Sequence, residues 1–260
     1  MISLKNFITL LFAAVVVLFT ACKKNYTGPQ TNTSGIKLIK IGDATNNNQF
    51  EYDAASNVSK ITVVTDSVPS AYNITYQNGI PSQLQSAQFL NKLTYADGHL
   101  VRSEIYNNNA PEVQSMVQFN YSDNGLSEEL FYEKDFSSVT LYPWLKFKFE
   151  ALPNGDISMI EFFLWDRTTG QYNFLGTDRY QYDDHANPVY RVKDFYTLFN
   201  YPATPHNVRT ITSYDISGAQ IGLVNYEYTY NSAGNPVAAK RTQTPAGGFS
   251  SVTTLTYTYQ

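Results

Sequence analysis

The feature that most constrains this chain is a short strand-and-turn unit that recurs along most of its length. An alternating aromatic stretch ends in Tyr or Phe, and Asp, Asn or Gly residues follow. Four copies are Phe50-Glu51-Tyr52-Asp53 before Ser56-Asn57, Asn73-Ile74-Thr75-Tyr76 before Asn78-Gly79, Leu93-Thr94-Tyr95 before Asp97-Gly98, and Phe119-Asn120-Tyr121 before Asp123-Asn124-Gly125. Four more are Phe147-Lys148-Phe149 before Asn154-Gly155, Tyr180-Gln181-Tyr182-Asp183 before Asn187-Pro188, Tyr214-Asp215 before Ser217-Gly218, and Tyr228-Thr229-Tyr230-Asn231 before Gly234-Asn235. The chain ends on Leu255-Thr256-Tyr257-Thr258-Tyr259, a strand pattern with no turn after it.

Each copy has the physics of a β-hairpin. Period-two alternation places Tyr226, Tyr228 and Tyr230 on one face and Glu227 and Thr229 on the other. Asn-Gly and Asp-Gly supply the positive φ that tight hairpin turns require. About eight such hairpins imply roughly 16 to 18 antiparallel strands in an all-β meander. No segment outside the first twenty residues carries a convincing helical period. Two architectures fit: a long curved sheet, or a closed or partly closed barrel without free edges. A membrane barrel fits poorly, because its outer face needs an apolar band between aromatic girdles. The face opposite the aromatics carries residues such as Lys146 and Lys148 instead. The expectation is a soluble sheet with its aromatics inside.

Composition narrows the function classes. The 260 residues are 43% hydrophobic and only 15% charged, with a formal net charge of −4. That balance offers no electrostatic footprint for nucleic acid. The chain has 21 Tyr and 16 Phe, residue types that pack well across pleated faces.

The first residues read as a secretory leader. Lys5 precedes an apolar run from Phe7 to Phe19, then come Thr20-Ala21-Cys22. The run is about a dozen residues, short of the ~20 needed to cross ~30 Å of hydrocarbon. Leu18-Phe19-Thr20-Ala21-Cys22 resembles the lipobox of bacterial lipoproteins, with Phe19 where that motif prefers Leu. The resemblance implies that residues 1–21 are removed and that Cys22, the only Cys, carries acyl chains that hold the protein to a membrane. An acylated Cys22 leaves no thiol for a disulfide, a metal site or a nucleophile. Residues 22–35, rich in Asn, Thr, Gly and Pro, read as a flexible tether, and 36–260 as a single β domain. Lys23-Lys24 stands where surface-exported lipoproteins of Bacteroidota carry acidic residues. This favours the periplasmic side of the outer membrane over the cell surface.

The repeats resemble the tyrosine-aspartate (YD) repeats of Rhs-type proteins, with Tyr182-Asp183 to Asn187 and Tyr228 to Asn235 matching best. Together with the lipobox, they resemble a Bacteroidota lipoprotein family of unknown function described as porin-like in fold. The resemblance covers most of Ile36 to Gln260 and implies architecture without an activity.

No reaction signature is legible. His99 and His185 sit among turn residues, and metal binding would need several such groups converging. Glu128-Glu129 would point to opposite faces of a strand, and Asp183-Asp184 belongs to a repeat turn. No nucleophile elbow or phosphate loop is present, and the sequence asks for no cofactor and no metal. Two aromatic segments break the repeat. Tyr142-Pro143-Trp144 reads as a connection, as does Phe195 to Val208. Either they cap one end of the sheet, or Trp144, Trp165, Phe199 and Tyr201 offer ligand-binding rings, for example to sugars. Asp66-Ser67-Val68 resembles the short Bacteroidota O-glycosylation motif, which makes Ser67 a candidate. The reading that follows is a non-enzymatic, lipid-anchored envelope protein that binds a glycan or an envelope protein. A glycan-processing accessory and a structural envelope component are the alternatives.

Overall fold

The computed structural model describes residues 36–108, 111–123, 125–135, 140–192, 195, 198 and 203–260. Sixteen strands follow one another: β1 (Leu38–Gly42), β2 (Asn47–Tyr52), β3 (Val58–Thr65), β4 (Val68–Gln77), β5 (Ile80–Gln85), β6 (Phe89–Ala96), β7 (His99–Asn107) and β8 (Val113–Ser122), then β9 (Gly125–Lys134), β10 (Leu141–Ala151), β11 (Ile157–Asp166), β12 (Gln171–Ala186), β13 (His206–Asp215), β14 (Gln220–Tyr230), β15 (Pro236–Pro245) and β16 (Ser251–Tyr259). Each pairs antiparallel with its neighbour in sequence, and β1 pairs with β16. Of the two expected architectures, the chain adopts the closed barrel. Closure is sealed by Lys37 N donating to Gln260 O at 3.0 Å and Gln260 N donating to Lys37 O at 2.9 Å.

The barrel has two rims. The proximal rim holds the start of β1, the end of β16 and the turns at 53–57, 78–79, 97–98, 152–156 and 231–235. The distal rim holds the turns at 43–46, 66–67, 167–170, 216–219 and 246–250.

The repeat motif has a structural meaning at each of its positions. In the five-residue turns, the first Asp or Asn accepts backbone hydrogen bonds with its side chain. Asp53 Oδ1 takes Asn57 N at 2.9 Å, Asp215 Oδ1 takes Ala219 N at 3.0 Å, and Asn231 Oδ1 takes Asn235 N at 3.0 Å. The fourth position must take a positive φ, supplied by Gly218 at 81° and Gly234 at 78°. The strand register shifts by a bulge at the repeat tyrosines, between Glu51 and Tyr52, Thr75 and Tyr76, Asn120 and Tyr121, and Gln181 and Tyr182. Bulges bend a strand and raise its twist.

The tyrosines themselves act as staples. Tyr52 donates to Leu38 O, Tyr76 to Val58 O, Tyr121 to Leu100 O, Tyr182 to Ile157 O, Tyr228 to Val208 O and Tyr259 to Pro236 O. In every case the donor lies on an even-numbered strand and the acceptor at or near the start of the strand before it. Those two strands are joined by a turn at the distal rim, so the hydroxyl closes their open ends at the proximal rim.

Tubes of sixteen or more strands, held round, leave a water-filled lumen. Here the inward side chains are buried around the wall, from Leu38, Ile41 and Phe50 through Phe119, Phe147 and Ile160 to Tyr226, Ala239 and Leu255. Such burial requires opposite walls, and an inserted connection, to meet across the interior. The outward face carries charged pairs, Lys240 with Glu227 at 2.9 Å in mid-strand and Lys60 with Glu51 at 2.6 Å near the proximal ends of β2 and β3. Lys146 and Lys148 also face outward in mid-strand.

Candidate functional site

The connection from β12 to β13 makes the proximal rim unlike the distal one. Its first part is a short 3-10 helix, Pro188–Val192. Val189, Val192 and Phe195 are buried in one cluster with Leu38, Ile41, Phe50, Ile61, Ile74 and Leu84. The connection therefore folds inward and plugs the lumen beside β1–β5. Ala203 and Thr204, near its end, are wholly buried.

A buried carboxylate–imidazole contact latches the plug. Asp156 ends the turn between β10 and β11, and His206 opens β13. His206 Nδ1 lies 2.7 Å from Asp156 Oδ2, and the His206 backbone N–H donates to Oδ1 at 3.1 Å. The side chains are 2% and 11% exposed. Asn154 Nδ2 donates to the same carboxylate at 2.6 Å. Nearby, burial and the Asp156 charge push the Tyr182 hydroxyl well above the usual tyrosine range.

Between plug and wall lies a cavity of about 390 Å³, lined by Lys37, Tyr52, Asn57, Tyr76, Pro188, Val192 and Phe195 among others. The Lys37 ammonium stands 5.1 Å from the centre of the Tyr52 ring. Ile36, the first described residue, is part of the lining, so the chain enters the barrel beside this cavity.

Around the same rim, beyond β16 and β15, inward tyrosines of β14 form a stack. Ring centres are 6.0 Å apart for Tyr226 and Tyr228 and 5.8 Å for Tyr228 and Tyr230, and His185 lies on Tyr230 at 3.8 Å. Tyr230 donates to Asp183 Oδ2, and Asn207 Nδ2 donates to Tyr230 at 3.2 Å. The sequence placed Asp183-Asp184-His185 in a hairpin tip. Instead they belong to β12, which runs to Ala186 because the plug, and not a tight turn, follows it. His99 likewise opens β7 and packs on Tyr121 at 4.6 Å.

Besides Asp156 and His206, the carboxyls of Glu129 and Asp178 and the Arg241 guanidinium face the filled interior. Glu129 is 0% exposed, and neither carboxylate oxygen has a hydrogen-bond partner among the described residues. Burial pushes its carboxyl well above the usual glutamate range. Asp178 is raised by burial to about 6, against hydrogen bonds from Ser213 and Tyr180 that pull it down. Arg241 donates from Nη2 to Gln243 at 2.8 Å, while its Nε has no partner among the described residues. The strand argument for Glu128-Glu129 holds: Glu128 pairs across the outer face with Lys148, and Glu129 lies opposite Phe119 and Phe147 inside.

Of the aromatics singled out by sequence, Trp144 and Trp165 are described, and they lie on opposite faces of the wall. Trp144 is in no connection. Tyr142-Pro143-Trp144 lies within β10, and Trp144 occupies a bulge between Pro143 and Leu145, packed against the core. The bulge is what lets a strand accept Pro143. Trp165 stands on the outer wall, 4.9 Å from the Tyr172 ring. Phe199, Tyr201 and Cys22 lie outside the described residues. Ser67 is exposed in the tight turn between β3 and β4, where its φ of 66° follows the 49° of Asp66. Sequence reasoning missed Asp156, His206 and the inward Asp178. Nothing in their local pattern separates them from other turn and strand residues.

Solved structures share this architecture. A porin-like protein from Bacteroides vulgatus ATCC 8482 superposes with a TM-score of 0.60 at 12% identity, covering 86% of this chain and 99% of that one. A porin-like protein from Bacteroides uniformis ATCC 8492 gives 0.57 at 12% identity, covering 86% and 95%. No family model matches the sequence, and no curated protein does. At this identity the likeness is one of fold, and the fold is that of the Bacteroides porin-like proteins.

Proposed function

We propose that this chain is a non-enzymatic, lipid-anchored protein of the bacterial cell envelope whose plugged barrel presents binding surfaces and conducts no solute. The observation that carries the reading is the filled interior. Inward residues of the wall are buried, and Val189, Val192 and Phe195 occupy the lumen at the proximal rim. The outer wall supports it, since mid-strand charges such as Lys146, Lys148, Glu227 and Lys240 are costly against lipid. In this reading Cys22 carries the acyl chains, and residues 22–35 lead from the membrane to the proximal rim. The barrel then stands in the aqueous phase, facing the periplasm from the outer membrane.

Metabolic labelling with an alkynyl fatty acid tests the anchor. The full chain should be labelled and fractionate with membranes, and Cys22→Ala should be unlabelled and released. A Cys22→Ala protein that stays in the membrane would mean that the wall itself inserts, and the reading fails. Protease added to intact cells should leave the barrel uncut if it faces the periplasm.

A further inference from the structure

On an antiparallel wall the expected pattern is apolar inside and polar outside. The sequence breaks that pattern in β11 and β12. Phe162 and Leu164 pack against the core, yet Phe163 and Trp165 between them point outward. Tyr172 and Phe174 face them from β12. The four rings form two cross-strand pairs, Phe163 with Phe174 at 5.5 Å and Trp165 with Tyr172 at 4.9 Å. Two residues along a strand advance about 6.8 Å, so the pairs form a short row on the outer wall. Phe174 is 37% exposed. A contiguous row of four partly open rings, unlike the single exposed apolar side chains elsewhere on the wall such as Phe89 and Val252, marks an interaction surface.

The polar groups around the row define what fits it. The Lys146 ammonium lies 4.6 Å from the Phe163 ring centre and 4.5 Å from that of Tyr172. Lys148 is flanked across the outer face by Glu128 and Glu161. Two ammonium groups and two carboxylates cancel, so the patch attracts neither a polyanion nor an anionic lipid surface. The Tyr172 hydroxyl is buried with no hydrogen-bond partner among the described residues, an unmet capacity at the edge of the row.

We infer that the outer aromatic row of β11 and β12 binds a neutral polysaccharide. Sugar rings present apolar C–H faces with partial positive charge, which match the negative faces of Trp165 and Phe174. Their hydroxyls both donate and accept, which matches a rim of ammonium groups and carboxylates. The inference rests on the binding-surface reading above and supplies its ligand class. It does not depend on the anchor.

The test uses the detergent-solubilised full chain and columns of amylose, cellulose, mannan and xyloglucan, with polygalacturonate and phosphatidylglycerol vesicles beside them. At least one neutral glycan should retain the protein. Trp165→Ala and Phe174→Ala should each weaken retention about tenfold or more, as expected of central aromatic anchors. Trp144 and Trp165 are the only tryptophans. In a Trp144→Phe protein, emission should therefore report on Trp165 alone and shift when the retaining glycan is added. Circular dichroism checks each fold, and if Trp165→Ala unfolds, the more exposed Phe174→Ala decides. The inference is overturned if no neutral glycan retains the protein, or if both alanine variants are retained as well as the parent. It is also overturned if only the vesicles or the polyanion bind. Fatty-acid labelling of Cys22 that persists through such a failure leaves the anchored-scaffold reading standing.

Discussion

The Tyr182 hydroxyl donates to the carbonyl oxygen of Ile157 at 2.6 Å, across the open end of the β11–β12 hairpin. The same bond recurs at Tyr52, Tyr76, Tyr121, Tyr228 and Tyr259. A hairpin is held at one end by its turn and frays at the other. The repeat tyrosine fastens the frayed end, and the Asp or Asn a few residues on caps the next turn. This division of labour accounts for the sequence pattern better than ring packing alone, since Phe would pack as well.

Removing one hydroxyl should therefore cost about 1 kcal/mol. Tyr76→Phe, Tyr121→Phe and Tyr182→Phe lie on separate hairpins, so their losses should add within about 0.5 kcal/mol. Urea unfolding of the singles and the triple measures this. A triple variant as stable as the parent would mean that the hydroxyls contribute only geometry.

How much of this was legible beforehand depends on the range of the cause. Asn78-Gly79 and Asp97-Gly98 announced their turns because positive φ is a local demand, met here at 54° and 76°, and 51° and 79°. Closure was not legible, because Ile41 meets Tyr257 across the whole chain and nothing in either strand names the other. A cap at one end was legible from Phe195 to Val208, but its insertion into the lumen from Val189 onward was not, because Val189, Val192 and Phe195 follow no strand period and their burial depends on Ile61 and Leu84 far away. Tyr182-Asp183 read as one more turn because its local chemistry is that of a turn. The structure uses Asp183 as the acceptor of Tyr230 instead. The outer ring row was half visible, since Phe162-Phe163-Leu164-Trp165 has no polar face, but which pair points outward needed the register.

Ser67 occupies the second position of a two-residue turn with φ of 66°, where a side chain crowds its own backbone. Ser67→Gly should stabilise the protein by about 1 kcal/mol, the strain relieved less the chain entropy glycine adds. Thermal unfolding reads it, and a lowered Tm would mean that the Ser67 side chain makes a contact worth more than the strain.

Glu129 and Asp178 set a pH dependence. Both carboxyls are raised in the fold, Asp178 to about 6 and Glu129 well above its usual range, chiefly by burial. The folded state thus holds protons that the unfolded chain releases, so stability is greatest at low pH with respect to these groups. It falls as pH rises from the ordinary carboxylate values of 3.8 and 4.5 through the raised ones, and stays reduced above them. Glu129→Met removes an unpartnered buried acid and should raise stability at pH 7 by about 1 to 4 kcal/mol. It should also flatten the decline between pH 5 and 7 on the scale of ~1.4 kcal/mol per pKa unit. Urea midpoints across pH 4 to 8 compare parent and variant, and parallel curves would show that Glu129 has found a partner.

The Asp156–His206 pair predicts the opposite kind of result. Asp156 is 1% exposed and takes three contacts, from the His206 ring, the His206 backbone and Asn154. His206→Ala strips the ring and leaves the buried carboxylate one hydrogen-bond partner short. Such a loss costs about 1.5 to 3 kcal/mol. The damage should concentrate at the plug, because β13 begins at His206 and Asn187 N is bound to Pro205 O at 2.8 Å just before it. Amide exchange should rise around 187–205 and at the starts of β1 and β3, which pack on Val189 and Val192. The strand ends beside the turns at 167–170 and 216–219, on the distal rim, should keep their protection. Uniform loss of protection around the whole barrel would instead mean that the latch and the wall unfold as one unit.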